Sequence, residues 1–301
     1  MKHILTNTIL LIFLTFNIGC KSQTNKQTET LKITNLNDSF TKHDHLVMDW
    51  GYSSIIEYKG KKILFDLGNN AEVLEANIRK LNINIKDIDF AVLSHRHSDH
   101  MGGMDFLLKE NPAIKIYAPT ENFGIYGASL PSSFYKKDPN APKHRQYYNG
   151  HPEEIMHFGK AWSKANIKLI TKNTEIIPGF HLIFLVSDFK GTLELSEISL
   201  AIDSPSGQNI IIGCGHTGLE NIIKESQKIN PKTNLITGGF HLLQKEDSEL
   251  NQLITKLDKT YHVKYATPSH CSGERAMTFF EKTFNNRYIY AGLGETITLK
   301  L

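Results

Sequence analysis

Cysteine is scarce in this chain, neither sign of charge dominates, and two common catalytic motifs are missing. Only 3 of the 301 residues are cysteine, so at most one disulfide can form within the chain. The 34 Lys and Arg residues nearly balance the 31 Asp and Glu residues, and their scatter gives no broad electrostatic surface for nucleic acid. No Gly-x-Ser-x-Gly sequence is present, which excludes a serine nucleophile elbow. No Gly-x-x-x-x-Gly-Lys sequence is present either, which excludes a phosphate-binding P-loop.

The first 20 residues have the pattern of a secretory signal peptide. Lys2 precedes the apolar run Ile9–Leu14, and Gly19-Cys20 follows at the expected cleavage position. The apolar run is too short for a comfortable membrane-spanning helix. Cys20 resembles the acylated cysteine of a lipoprotein, so we predict an exported protein anchored by a lipid in a bacterial cell envelope. The polar residues 21–30 predict a flexible tether, and residues 31–301 form the main domain.

Three histidines and an aspartate follow directly after a predicted buried strand. The strand is Ile88–Leu93, and the segment after it contains His95, His97, Asp99 and His100. Side chains this polar are costly to bury unless each has a partner. Neutral imidazole and carboxylate are preferred ligands of zinc and iron. A polar surface turn is the alternative reading, but the spacing favours a metal site.

Further histidines follow predicted strands in the second half of the chain. The strand at 209–212 is followed by Cys214 and His216, and a later strand by His270. His216 and His270 are therefore placed to face the first cluster, although a core histidine with satisfied hydrogen bonds is the alternative for each. His241 follows a pair of glycines, and three roles stay open for it: metal ligand, substrate contact and hydrogen-bond partner of a ligand.

Taken together, these segments resemble the metallo-β-lactamase fold superfamily. Five motifs carry the resemblance, which extends from about Asp49 to the C-terminus: Asp66-Leu67-Gly68, His95-x-His97-x-Asp99-His100, Gly213-Cys214-Gly215-His216-Thr217-Gly218, Gly238-Gly239-Phe240-His241-Leu242 and Ser269-His270-Cys271-Ser272-Gly273. Within the superfamily they are similar to the dihydropterin-synthase-like (ribofuranosyl-aminobenzene-phosphate synthase-like) metal-dependent hydrolases. The expected fold is α/β, an αββα metallo-β-lactamase-like sandwich whose loops meet at one edge.

The resemblance implies a site for two divalent ions, with zinc expected first and iron or manganese as alternatives. The predicted ligands form two sets: His95, His97 and His216 for one ion, and Asp99, His100 and His270 for the other. Asp66 is expected to orient the first-loop histidines by hydrogen bonding rather than to bind metal. Cys214 stands where many members of the superfamily have a bridging aspartate, so metal ligation by Cys214 stays open. A disulfide between Cys214 and Cys271 is less expected than two buried thiols.

Apolar periodicity predicts the secondary structure around these motifs. The predicted strands are at 31–36, 46–50, 88–93, 114–118, 167–170, 180–186, 198–202, 209–212, 234–237, 265–267, 288–291 and 296–299, with a hairpin over 51–66. The predicted helices are at 71–81, 104–109, 219–229, 250–260 and 274–284. Residues 119–160 are rich in proline and aromatic side chains, and predict an irregular insertion. This insertion is either a lid over the substrate or a surface segment that packs its own aromatic side chains.

The expected activity is hydrolysis of a small polar ester, lactone or phosphoester by a metal-bound hydroxide, with Asp99 also able to take up a proton. One alternative is a pterin-related synthase or transferase, as the name of the branch implies, but an exported location disfavours it. Another is a non-catalytic metal-binding or sensor lipoprotein, which the complete ligand set disfavours. Hydrolysis of β-lactams is a weaker option, because a fold does not establish a function. The expected partner is a small-molecule substrate, and the sequence does not specify an oligomeric state.

Overall fold

The computed structural model describes residues 29–120, 137–148, 150, 162, 164–189, 192 and 195–301. The predicted signal peptide, Cys20 and nearly all of the predicted tether lie outside these residues. Most of the predicted insertion, namely 121–136, 149 and 151–160, lies outside them as well. None of the helices in the described ranges combines the length and apolar character needed to cross a membrane.

The described residues form thirteen strands and five α-helices. The strands are β1 (Thr30–Asn37), β2 (Ser53–Tyr58), β3 (Lys61–Phe65), β4 (Phe90–Val92), β5 (Lys115–Pro119), β6 (Asn166–Ile170), β7 (Thr174–Ile177), β8 (Phe180–Val186), β9 (Ser196–Ile202), β10 (Gln208–Ile212), β11 (Thr233–Gly239), β12 (Tyr265–Ser269) and β13 (Thr296–Lys300). The helices are α1 (Ala71–Lys80), α2 (Met104–Glu110), α3 (Leu219–Gln227), α4 (Asp247–Lys259) and α5 (Glu274–Phe284).

Two sheets pack face to face, and helices cover the outer face of each sheet. The first sheet has the order β13-β1-β2-β3-β4-β5-β6, and the second β12-β11-β10-β9-β8-β7. Side chains alternate between the faces of a strand, so Ile63 and Phe65 pack between the sheets whereas Leu64 packs under α1 and α2. In β10, Ile211 likewise faces the other sheet, and its neighbour Ile210 packs under the helices α3, α4 and α5. The predicted αββα sandwich is therefore confirmed.

Parallel strand pairing brings the motif loops to one edge. The strands β3 to β6 are parallel to one another in the first sheet, and so are β10 to β12 in the second. Because the carboxyl ends of parallel strands lie at the same edge of a sheet, the loops that follow them lie side by side. The loops after β4, β10, β11 and β12 carry the predicted ligands and His241.

Side-chain hydrogen bonds fix the starts of two helices, α1 and α4. Asn70 caps α1, since its side-chain oxygen accepts from the backbone N–H of Glu72 and Val73. In α4, Glu246 and Glu249 form a reciprocal capping box, and this starts the helix at Asp247 rather than at the predicted residue 250.

Two predicted strands are wrong. Residues 46–50 form a loop, because the side chain of Asn77 accepts from Val47 N–H and donates to Val47 C=O in place of a strand partner. Residues 288–291 make only an isolated bridge between Tyr288 and Ala266, since the C=O of Ala291 accepts from the side chain of Asn35. Strand β7 was not predicted. Strand β13 pairs with β1 at one edge of the first sheet, so the first and last strands of the domain are neighbours.

Candidate metal centre

The loop after β4 presents its polar side chains to a buried space at the sheet edge. Nδ1 of His95 is hydrogen-bonded to Ser94 Oγ at 2.8 Å. The other ring nitrogen of His95, Nε2, therefore faces His97 Nδ1 at 3.1 Å. Asp99 and His100 follow in a short turn, and both are buried. The structure therefore places the four predicted residues of this loop around one space.

The loops from the second sheet complete the cluster. The rings of His95 and His97 each lie 4.8 Å from the ring of His216, centroid to centroid. On the other side, Asp99 Oδ2 lies 3.6 Å from His100 Nε2 and 3.4 Å from His270 Nε2. The six predicted ligands thus come together in one cluster, and the rings of His95 and His100, from the two different predicted sets, are also close at 4.2 Å.

Cys214 lies between the two sets. Its Sγ is 3.1 Å from His100 Nε2. Donor atoms of His95, Cys214 and His216 lie within 4.8 Å of one another, and so do donor atoms of His100, Cys214 and His270. Cys214 thus belongs to both groups, whereas the sequence left its ligation open. It and Cys271 are buried free thiols.

The donor atoms fit a cation, because several of them have nothing else to bind. Within the described part of the chain, both ring nitrogens of His216 and of His270 and the Oδ1 atom of Asp99 are buried without a hydrogen-bond partner. Each such atom costs roughly 1–3 kcal/mol of stability when it stays unpaired. A divalent ion at this position would be bound by one nitrogen of each ring and by Asp99 Oδ1, and would satisfy three of these five atoms.

Three of the histidines have pKa values that suit metal binding, whereas nearby negative charge, including the carboxylate of Asp99, outweighs burial and raises the pKa of His100 and of His270. Burial lowers the pKa of His95 and of His216 well below the ordinary value, and lowers the pKa of His97 to about 4. These rings are therefore neutral, which is the form that binds metal. Burial raises the pKa of the Cys214 thiol well above its usual range, so this thiol ionises here only opposite a cation.

Asp66 holds the first loop in place, as the sequence predicts. Its two carboxylate oxygens accept from the backbone N–H and the hydroxyl of Ser94, each at 2.7 Å. The same carboxylate lies 2.7 Å from His100 Nδ1, which leaves Nε2 of that ring directed at Cys214. Asp66 therefore fixes which nitrogen of His100 faces the centre.

Two further buried carboxylates hold the other loops, and the sequence analysis missed both. Glu197 in β9 is 1% exposed and accepts from the backbone N–H of Gly215 at 2.7 Å and of Thr217 at 3.2 Å. Asp38 accepts from the backbone N–H of His270 at 3.2 Å, and burial raises the pKa of Asp38 to about 6. One sequence signal could have indicated Glu197: it is an acidic residue directly before the apolar residues of the predicted strand at 198–202.

The backbone at the centre is unusual in two respects. Asp66, His241 and His270 have positive φ values of 56°, 49° and 47°, which non-glycine residues rarely adopt and which mark functional sites in many proteins. Gly213 packs so closely that a Cβ there would lie 2.1 Å from Ser94 Oγ, and only glycine fits.

His241 lies beside the centre but is not a member of either donor group. Its ring is exposed and lies 4.3 Å from the ring of His216. Its backbone N–H donates to Cys271 Sγ at 3.3 Å. Of the three roles that the sequence left open, substrate contact suits this exposed position best.

The described part of the predicted insertion packs against the opposite side of the centre. Tyr147 stacks on Trp50 at 5.6 Å, and Trp50 stacks on the ring of His270 at 4.7 Å. The hydroxyl of Tyr147 donates to the C=O of His270 at 3.2 Å. Glu274 anchors the segment, since its carboxylate accepts from the N–H groups of Asp138 and Tyr147.

Fold and site define an α/β protein with two packed sheets and a cluster of metal-binding side chains at their common edge. Residues 51–181 match the metallo-beta-lactamase superfamily. The 7,8-dihydropterin-6-methyl-4-(beta-D-ribofuranosyl)-aminobenzene-5'-phosphate synthase of Methanocaldococcus jannaschii is 31% identical over an alignment of 274 positions that covers 80% of this chain and 88% of the synthase. The chain belongs to the metallo-beta-lactamase superfamily.

Solved structures agree on the fold. A crystal structure of a metal-dependent hydrolase of the beta-lactamase superfamily superposes with a TM-score of 0.66 at 23% identity, and covers 90% of this chain and 99% of that one. The short form of human tRNase Z superposes with a TM-score of 0.51 at 14% identity, and covers 88% of this chain and 98% of that one. At these identities the likeness concerns the fold alone.

Proposed function

We propose that this protein is a metal-dependent hydrolase that holds two divalent ions and acts on a small polar ester, lactone or phosphoester. The main support is the set of buried donor atoms on His216, His270 and Asp99 that have no hydrogen-bond partner among the described residues, beside the two donor groups that share Cys214. Zinc is the first expectation, because imidazole, thiolate and carboxylate all suit it, and iron and manganese are the alternatives.

The side chains divide into two ligand sets with one common member. His95, His97 and His216 would hold one ion, and Asp99, His100 and His270 the other. Cys214 lies within reach of both sets and would bridge them. When bound, two ions in such a site supply water activation and charge neutralisation at the attacked group.

Asp99 has a second proposed role besides binding metal. Its Oδ2 atom faces His100 and His270, whereas its Oδ1 atom is buried without a hydrogen-bond partner among the described residues. The carboxylate is ionised, because His100 and His270 outweigh the effect of burial and hold its pKa below the ordinary value. Oδ1 is therefore the oxygen left to accept a proton during the reaction, and the lowered pKa makes it a weak base.

A synthase is the second candidate, and the archaeal relative supports it. That protein is named for a product that joins a dihydropterin to a phosphorylated ribosyl-aminobenzene. The donor cluster alone does not separate hydrolysis from such a condensation, because one fold can host different reactions.

We also propose that the chain is exported and anchored through a lipid on Cys20. The N-terminal sequence supports this through its basic start, short apolar run and Gly19-Cys20. Labelling with a radioactive fatty acid tests it: wild type should be labelled and found with membranes, and Cys20→Ser unlabelled. Labelling of both forms, or of neither, would contradict the proposal.

Metal content and turnover test the hydrolase. We expect close to two transition-metal ions per purified chain by elemental mass spectrometry, and turnover of ester, lactone or phosphodiester reporters that a chelator abolishes. Product formation from a pterin and a ribosyl-aminobenzene phosphate, without reporter turnover, would favour the synthase. A chain that binds no zinc, iron or manganese after reconstitution would contradict both enzymes.

A further inference from the structure

A cavity of about 600 Å³ opens beside the candidate metal centre, between α3 and α4. Its lining includes His216 and His241, so the cavity is continuous with the donor cluster. This volume is in the range of pockets that bind small molecules. The proposed ligand sets leave the cavity unused, so it is available to the part of a substrate that does not react.

One face of each helix forms the sides of the cavity. In α4 the lining residues Glu249, Gln252 and Lys256 recur at intervals of three and four, which places them on one side of the helix. In α3 Asn221 and Lys224 share a side in the same way.

Apolar side chains form the rest of the lining. Leu219, Phe240 and Leu253 contribute to it, and Phe189 stands at the cavity with 49% of its surface exposed. An exposed aromatic ring beside apolar walls suits a flat or apolar body in the ligand.

Among the charged side chains of the described lining, one lysine makes no ion pair within 4 Å, although Glu220 on the same helix interacts with it electrostatically. Lys256 pairs with Glu220 at 2.6 Å, and Lys245 pairs with Glu249 at 3.4 Å. Lys224 also lines the cavity, and no carboxylate of the described residues lies within 4 Å of its Nζ atom. The lining thus carries a net charge of one positive unit, centred on Lys224.

We propose that this cavity binds the substrate through an apolar body and a single anionic group, a carboxylate or a phosphoryl group, that pairs with Lys224. Lys224 follows Leu219 by five residues of helix, or about 8 Å along the axis. The anionic group would therefore be separated from the metal centre at His216 by about the length of one aromatic ring and a short linker. The reaction at that centre rests on the proposed hydrolase, but the binding preference does not.

Equilibrium binding to the metal-loaded full chain tests the preference. The probes are 4-phenylbutyrate, 4-phenylbutylphosphonate and the neutral 4-phenylbutyramide, followed by calorimetry or ligand-observed NMR. The variant is Lys224→Glu, and the matched control is Lys228→Glu. The control makes the same lysine-to-glutamate change at a residue that does not line the cavity and that pairs with Glu225. The two anionic probes distinguish a carboxylate from a phosphoryl group.

We expect wild type and Lys228→Glu to bind one of the anions about tenfold more tightly than the amide. Lys224→Glu should lose this preference and keep its affinity for the amide. Equal binding of anion and amide by wild type would overturn the proposal. So would an anion preference that survives in Lys224→Glu, since that result indicates direct coordination by a metal ion.

The two proposals fail in different ways. If the hydrolase proposal is wrong, the chain should lack metal or should not turn over a neutral ester reporter, while Lys224→Glu still changes anion binding. If the anion-binding proposal is wrong, Lys224→Glu should bind the anionic probes as wild type does, while wild type still contains metal and turns over the neutral ester.

Discussion

The Sγ atom of Cys214 lies 3.1 Å from Nε2 of His100, at the one position that both groups of metal-binding side chains share. Asp66 holds the other nitrogen of the same ring at 2.7 Å, so the direction of Nε2 is fixed. If two ions bind as proposed, a thiolate at this position would add a negative charge within reach of both, which an uncharged side chain cannot provide. Replacement of Cys214 is therefore a direct test of a two-metal site.

Replacing Cys214 should reduce metal binding. We expect Cys214→Ser to lose one of the two ions, and its cobalt-loaded form to lack the sulfur-to-metal charge-transfer absorption of the wild type. Cys214→Asp, which restores a negative charge, should recover the second ion without the absorption band. Elemental mass spectrometry and absorption spectroscopy measure the two effects.

Cys271→Ser is the matched control for Cys214, because its sulfur is buried nearby but belongs to neither donor group. It should keep both ions and the absorption band. Two ions and an unchanged band in Cys214→Ser would show that the sulfur is not a ligand.

Asp99 and His270 should be needed for the second ion. Asp99→Ala or His270→Ala should leave a folded protein with about one ion per chain and activity lower by roughly 10²–10⁴-fold. Circular dichroism checks the fold, and metal analysis with reporter turnover checks the rest. Both ions and full turnover in either variant would contradict the ligand assignment.

The sequence predicted the fold and the residues that gather at the candidate metal centre, because both depend on local patterns. The strands β4 and β10 are short apolar runs followed by polar loops, so strand, strand end and ligand positions can all be read from adjacent residues. The predicted strand at 46–50 is wrong for the opposite reason. The backbone of Val47 is hydrogen-bonded to the side chain of Asn77, which is distant in sequence.

The buried carboxylates depend on such distant contacts as well. Glu197 is 18 residues from Gly215, whose N–H it accepts, and Asp38 is 232 residues from His270. No sequence spacing indicates these pairings. They become visible only when the second sheet brings β9 beside β10 and when the loop after β1 reaches the end of β12.

Glu197 should be required to hold the loop of Cys214 and His216. Both of its oxygens accept hydrogen bonds from this loop, so an amide in Glu197→Gln would direct an N–H at another N–H donor. We expect a loss of about 1–3 kcal/mol in the free energy of unfolding and a roughly 10–100-fold weaker metal affinity. Chemical denaturation and metal competition with a chelator measure these changes.

Glu57→Gln provides the control for this change, because Glu57 is a strand glutamate that is not buried at the centre. It should alter neither quantity. Unchanged metal affinity in Glu197→Gln would show that the loop keeps its position without the carboxylate.

Removal of metal should destabilise the whole domain, because the donor atoms come from loops of both sheets. Without ions, the buried atoms of His216, His270 and Asp99 lack partners and their cost opposes folding. A ligand at about a thousand times its dissociation constant stabilises the folded state by roughly 4 kcal/mol. Chelation should therefore lower the free energy of unfolding by about this amount, and added zinc should restore it. Chemical denaturation of chelated, untreated and zinc-restored samples, each with measured metal content, makes the comparison. An unchanged unfolding curve in a sample shown to be free of metal would mean that the donor cluster is stable without an ion, and would remove the main support for the metal centre.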